Sequence, residues 1–82
     1  MDFKNYFLAL APDDRAAFAQ SVETSVGMLK QVAYGHKPIE LGFADVLVAK
    51  GAGKFDLTGL PLTERAEKQA RLRAAPIEGQ AA

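Results

Sequence analysis

The chain contains no cysteine, which excludes disulfide bridges, thiolate metal sites and thiol catalysis. It has a single histidine, and its carboxylates are scattered, so we expect neither a metal site nor a bound cofactor. The adjacent pair Asp13 and Asp14 suits the start of a helix better than acid–base chemistry, because adjacent residues do not share a helix face. No nucleophile stands in a recognisable pattern with a base, and we therefore expect no enzyme activity.

The chain also lacks a long hydrophobic run. No stretch approaches the roughly 20 apolar residues of a membrane span, and Asp2 and Lys4 interrupt anything like a signal sequence. We therefore expect no membrane segment and a cytoplasmic location. The hydrophobic content of 49% is typical of folded chains, and 82 residues suffice for one small domain.

Net charge is lacking as well, because ten basic and ten acidic side chains cancel. Nucleic-acid-binding proteins usually carry a basic excess, so the sum does not favour that class. Screening by salt, however, limits the range over which each charge acts to about 10 Å. The distribution of the charges along the chain is therefore more informative than their sum. The acid-free stretch between Glu23 and Glu40 contains Lys30, His36 and Lys37, and a second basic cluster comprises Arg65, Lys68, Arg71 and Arg73.

Apolar residues recur at helical spacing along most of the chain and predict an all-α domain. We expect helices over residues 2–10, 12–22, 26–34, 39–50 and 63–74, with a short extended segment over 54–60. Asp2, Ser25 and Thr63 are the expected N-caps, Pro12 suits a first helical turn, and Gly35 suits a helix end. The predicted organisation is a domain over 1–62, a basic helix over 63–75 and a disordered tail over 76–82.

The most informative stretch covers about residues 14–35, where two short predicted helices follow each other closely. Ala19 is small enough for the two backbones to approach each other. Val22, Leu29 and Val32 are placed to close a shared core, and Thr24 and Ser25 lead into the second helix. This combination of a small residue, apolar residues and a cap is what a helix-turn-helix requires.

The segment FAQSVETSVGMLKQVAYGHKP resembles phage Cro and repressor-type helix-turn-helix regulators, and within them the YdaS-like group. The similarity lies in the Thr24-Ser25 pair that opens the second helix and in the glycine, basic residue and proline that follow it. The resemblance implies a compact four- to five-helix domain of the lambda-repressor-like fold, usually a homodimer on a palindromic operator. One difference is Glu23, which replaces the turn glycine and costs about 1 kcal/mol if left-handed geometry is kept.

The helix-turn-helix reading predicts which side chains face double-stranded DNA. Gly27, Lys30, Gln31 and Tyr34 fall on the outward face of the second helix, because Leu29 and Val32 point inward. Gln31 suits adenine, Lys30 suits guanine and the Val26 methyl groups suit thymine. Gly27 allows close approach of the backbone to DNA. The predicted DNA-binding residues are Ser25, Val26, Gly27, Lys30, Gln31, Tyr34 and Lys37, of which Ser25, Tyr34 and Lys37 are expected to contact phosphates.

The same residues also have ordinary structural explanations. Ser25 is an N-cap in any case, Lys30 and Gln31 suit a solvated helix face, and Gly27 suits crowding between helices. Tyr34 suits a half-buried position against the fourth helix. The predicted helix over 63–74 is most simply a solvated helix, and a basic arm on DNA or a protein contact is its functional reading. Leu57, Leu60 and Leu62 are candidates for a dimer interface.

Two functions remain open at this point. The first is a sequence-specific transcriptional regulator, either a phage or prophage repressor or an antitoxin-like protein, which occupies an operator in bacterial DNA. The second is a protein-interaction module that uses the helix-turn-helix scaffold to bind RNA polymerase or a toxin. The second is favoured by the zero net charge and by Asp13, Asp14 and Glu23 near the motif.

Overall fold

The computed structural model describes residues 1–74 of the chain, which form helices joined by short loops. The elements in chain order are α1 (Phe3–Ala9), α2 (Pro12–Ser21), α3 (Val26–Ala33), α4 (Leu41–Lys50), a 3-10 helix (Leu57–Gly59) and α5 (Glu64–Ala74). These residues contain no strand, so the predicted all-α class is confirmed. The tail predicted over 76–82 and the last residue of the predicted basic helix lie outside the described residues.

Three helices begin at the side-chain caps that the sequence predicts. Asp2 Oδ1 accepts a hydrogen bond of 2.8 Å from the Asn5 amide at the start of α1. Ser25 Oγ accepts one of 3.1 Å from the Met28 amide at the start of α3, and Thr63 Oγ1 does the same at the start of α5. Such caps satisfy backbone donors that a helix start leaves without partners.

The fourth helix begins two residues later than predicted, because the backbone of Ile39 is engaged elsewhere. The Ile39 amide donates to the Pro61 carbonyl over 2.8 Å, and the Ile39 carbonyl accepts from the Thr63 amide over 3.0 Å. This pairing is an isolated parallel bridge between Ile39 and Leu62. It ties the α3–α4 loop to the segment that precedes α5.

The extended segment predicted over 54–60 is wrong in part, because its second half turns into the 3-10 helix. Asp56 starts this turn by accepting a hydrogen bond of 3.1 Å from the Thr58 amide. The carboxylate is stabilised further by the Thr58 hydroxyl, and these contacts hold the pKa of Asp56 below its ordinary value. Leu60 follows the turn and is buried, so its side chain is not available for the dimer interface predicted from Leu57, Leu60 and Leu62.

The core combines a cluster of aromatic rings with aliphatic side chains. The rings of Phe3 and Phe7 stack with centroids 5.5 Å apart, and Phe55 meets Phe3 edge-on at 5.1 Å. Phe18 closes this cluster from α2, so these four phenylalanines are core residues. The aliphatic residues come from α2, α3 and α4 together with three from the connecting segments: Ala19, Val22, Leu29, Val32, Ile39, Ala44, Leu47 and Leu60.

Helix α5 packs against α4 and is not the freely solvated helix that its polar sequence suggests. Ala66 is completely buried. Arg73 makes two hydrogen bonds with the Asp45 carboxylate of α4, at 2.8 and 3.1 Å. Hydrogen bonding to Arg73 lowers the pKa of Asp45. The small side chain of Ala66 allows close approach, and the ion pair holds the far end of the helix in place.

Candidate nucleic-acid interface

The turn between α2 and α3 consists of four residues, from Val22 to Ser25. Glu23 adopts the left-handed conformation with φ 58°, so the turn keeps a geometry that favours glycine although it carries a side chain. The Thr24 amide donates to the Ala19 carbonyl at 2.9 Å, and the Glu23 amide donates to the Gln20 carbonyl at 3.0 Å. This pair of hydrogen bonds is the Schellman arrangement, which ends α2 abruptly and lets α3 start at Ser25.

The two helices share the core that the sequence predicts. Ala19 and Val22 are 2% and 6% exposed, and Leu29 and Val32 are fully buried. All four belong to one hydrophobic cluster. Helix α1 also contacts α3. Helix α3 is therefore held along one side by two other helices, and its remaining surface is left open to solvent.

The open surface of α3 carries most of the predicted DNA-binding residues. Lys30 and Gln31 are exposed, and within residues 1–74 their side chains have no hydrogen bond or ion pair to other protein groups. Their donors are therefore available to a ligand. Val26 differs, because its side chain is only partly exposed and packs against the core. The exposed members of the predicted set are Ser25, Gly27, Lys30, Gln31, Tyr34 and Lys37.

Gly27 is not explained by crowding between helices. It is exposed, and a Cβ atom at this position would meet only Ser25 Oγ, at 4.0 Å. A glycine inside a helix costs about 1 kcal/mol relative to alanine, and no neighbouring side chain in the described residues requires it. The ordinary structural explanation of Gly27 therefore fails. Close approach of the backbone to DNA at Gly27 stays a prediction.

Tyr34 is half-exposed, and two side chains beside its ring come from α1 and from the loop after α3. Lys4 of α1 lies with its Nζ atom 5.1 Å from the centre of the Tyr34 ring. The His36 ring lies on another side, with the two ring centres 6.3 Å apart. Lys4, Tyr34 and His36 form what we call the tyrosine cluster, located where α1 meets the end of α3.

Lys4 is the residue of this surface that sequence reasoning missed. Its exposure is readable from the sequence, because Phe3 and Phe7 mark the buried face of α1. Nothing near it in the chain shows that the start of α1 lies beside the end of α3. With Lys30 and Lys37, Lys4 brings the number of exposed lysines from α1, α3 and the following loop to three.

The start of α2 has the opposite charge. Asp13 and Asp14 occupy its first turn, and both are exposed. They are stabilised by the positive end of the helix, and they disfavour a phosphate at the same place. Around the helix-turn-helix, exposed lysines therefore lie on α3, on the loop after it and at the start of α1, and the start of α2 is acidic.

Residues 1–74 contain no group of three or more potential metal ligands. None of the helices in the described part of the chain is long and apolar enough to cross a membrane. Comparisons with protein-family models, with curated proteins and with solved structures found no match for this chain.

Proposed function

We propose that this protein is a sequence-specific DNA-binding regulator of the lambda-repressor-like class, in which α2 and α3 form the helix-turn-helix. One observation carries the proposal. Helix α3 is held through Leu29 and Val32, while its opposite surface presents Lys30 and Gln31 with unused hydrogen-bonding groups. A short helix whose apolar face is packed on the core and whose polar face is exposed is suited to enter a major groove.

The exposed face of α3 recognises the base sequence. Gln31 pairs with adenine through its amide, and Lys30 donates to the guanine acceptors O6 and N7. The exposed part of Val26 contacts a thymine methyl group. Gly27 lets the helix backbone come closer to the base edges than any side chain would allow.

Phosphate contacts position α3 in the groove. The Ser25 hydroxyl accepts from the Met28 amide and retains its own hydrogen for a phosphate oxygen. Lys37 and the tyrosine cluster contact the backbone at the other end of α3. Such contacts carry no sequence information, but they supply much of the affinity and make it depend on salt.

The protein regulates transcription by occupying its operator. A protein bound at an operator that overlaps a promoter excludes RNA polymerase, and no catalytic group is needed for this. A phage or prophage repressor and an antitoxin-like protein act in this same way.

The experiment starts by selecting bound sequences from random double-stranded DNA. On the selected site, Lys30→Ala and Gln31→Ala are each expected to lose roughly 1–3 kcal/mol of binding free energy, with little change on random DNA. Lys68→Ala on α5 is the matched control, because it removes one exposed lysine from a helix that packs on α4. Absence of any DNA binding in dilute buffer contradicts the proposal, and equal losses on selected and random DNA contradict base readout.

A protein-interaction module is the second candidate, and the exposed acids beside α3 favour it. Asp13, Asp14 and Glu23 are all solvent-exposed, and they would complement a basic partner such as a surface of RNA polymerase or a toxin. Binding of purified RNA polymerase to the wild-type chain in the absence of DNA would support this candidate. Charge reversal of Asp13 and Asp14 should then abolish that binding. The same reversal is expected to strengthen DNA binding if the regulator proposal holds.

A further inference from the structure

An apolar groove of about 260 Å³ lies between the 3-10 helix and α5. Leu60 is buried beneath it, and the partly exposed side chains of Leu57, Leu62 and Ala70 form its walls. None of its lining residues belongs to the proposed DNA-binding surface. Its volume is just below the roughly 300 Å³ at which pockets begin to hold drug-sized ligands, so it suits a smaller molecule.

Two charged side chains of α5, Glu67 and Arg71, line the same groove and are exposed. They lie four positions apart on the helix, at a spacing that usually favours an ion pair between them. That pair is not formed, because the ion pair found within residues 1–74 joins Arg73 to Asp45. The side chains of Glu67 and Arg71 also make no hydrogen bond to the other described residues, so both remain available to a ligand.

An acid and a base at the edge of an apolar groove together define the chemistry of a ligand. The carboxylate of Glu67 accepts hydrogen bonds from an ammonium group, and the guanidinium of Arg71 donates two to a carboxylate. The β-carbons of residues four apart on a helix are about 6 Å from each other, which places both charged groups within reach of one small molecule. A free α-amino acid carries its ammonium and its carboxylate on one carbon atom, beside its side chain.

We propose that the groove between the 3-10 helix and α5 binds a free α-amino acid with a large apolar side chain. Its ammonium group donates to Glu67, its carboxylate accepts from Arg71, and its side chain packs against Leu57, Leu62 and Ala70. Burial of the side chain supplies affinity, and the two charged contacts select a ligand that carries both charges. The proposal stands whether or not α3 binds DNA.

Four probe compounds test the three parts of the ligand separately. L-Leucine has all three parts, leucinamide lacks the carboxylate, 4-methylpentanoate lacks the ammonium group and glycine lacks the apolar side chain. Titration of the full chain without DNA, followed by two-dimensional amide NMR, measures each Kd and shows which amides shift. L-Leucine is expected to bind with a Kd of about 1 mM or lower and to shift the amides of Leu57, Ala70 and Arg71. Each of the other three compounds is expected to bind about tenfold more weakly or worse.

Two variants remove the charged groups of the groove one at a time. Glu67→Gln and Arg71→Met are each expected to raise the Kd for L-leucine by about tenfold or more. Arg71→Met should leave the binding of leucinamide unchanged, because that compound has no carboxylate, and Glu67→Gln should likewise leave 4-methylpentanoate unchanged. Glu64→Gln and Arg65→Met make the same changes at exposed positions of α5 outside the groove, and both are expected to keep the wild-type Kd.

Circular dichroism checks that each variant keeps its helix content. Absence of a saturable shift with L-leucine up to about 10 mM overturns the proposal. Glycine that binds as well as L-leucine overturns it too, because the apolar groove would then take no part. Control variants that weaken binding as much as the groove variants, or shifts confined to residues outside the groove, have the same consequence.

Discussion

The ammonium group of Lys4 lies 5.1 Å from the centre of the Tyr34 ring, so the first helix brings a cation to the end of α3. The two residues are 30 positions apart in the chain, and their side chains lie together because α1 packs against α3. Cation–π contact of this kind holds a flexible lysine near one position. The consequence is that the proposed DNA-binding surface extends beyond the helix-turn-helix.

Removal of the Lys4 charge is expected to weaken binding to selected and random DNA by the same factor. A phosphate contact carries no base information, and its loss reduces the slope of log affinity against log salt by about one. Fluorescence anisotropy of Lys4→Ala at several salt concentrations measures both effects. Lys4→Arg is expected to retain binding, and an unchanged salt slope for Lys4→Ala would exclude a phosphate contact.

Substitution of Gly27 separates helix stability from DNA binding. Gly27→Ala is expected to stabilise the fold by about 1 kcal/mol, because the position is helical, exposed and free of close neighbours. The added methyl group is expected to lower DNA affinity by about tenfold, or about 1.4 kcal/mol, by holding the backbone away from the bases. Urea unfolding and DNA titration give the two values.

Gly42 offers a matched control for that experiment. It is also helical and exposed, and a Cβ atom there would meet nothing within 4 Å, but it lies in α4. Gly42→Ala is expected to give a similar gain in stability with unchanged DNA binding. A Gly27→Ala protein that binds DNA as well as the wild type would show that α3 does not approach DNA closely at this point.

Replacement of Glu23 by glycine is expected to stabilise the protein. Glu23 has φ 58°, and the left-handed conformation costs a residue with a Cβ atom about 1 kcal/mol more than glycine. Glu23→Gly is therefore expected to raise the free energy of unfolding by about that amount. Glu23→Ala removes the same carboxylate and keeps the strained backbone, so it should give no such gain. Equal stability of the two variants in urea would contradict strain at the turn.

The Asp45–Arg73 pair makes the attachment of α5 depend on pH. Its hydrogen bonds lower the pKa of Asp45 in the folded protein, so the stabilising contribution is present above the ordinary aspartate pKa of about 4. This contribution is lost as the pH falls through the lowered pKa that Asp45 has in the folded protein. Arg73→Met is expected to be slightly less stable than the wild type at neutral pH, and the difference should vanish in acid. A difference in urea unfolding that is independent of pH would exclude this role.

Most of the fold could be predicted because its signals are local. The caps at Asp2, Ser25 and Thr63 each act on an amide three residues later, and all three are confirmed. Helical periodicity, which relates positions only one or two turns apart, predicts a three-residue turn over 23–25, and the structure has four because α2 ends at Ser21. The exposed face of α3 follows from the same periodicity, and its role in DNA binding remains a proposal.

The amino-acid sequence by itself determined the all-α class, the capped starts of α1, α3 and α5, and the side of α3 that faces away from the core, because capping and periodicity act over a few residues. Only the tertiary structure decided that Lys4 lies beside Tyr34, that Ile39 pairs with Leu62 and that Arg73 reaches Asp45. These contacts join residues more than 20 positions apart. Their existence depends on how whole helices pack, and no local pattern in the chain records that packing.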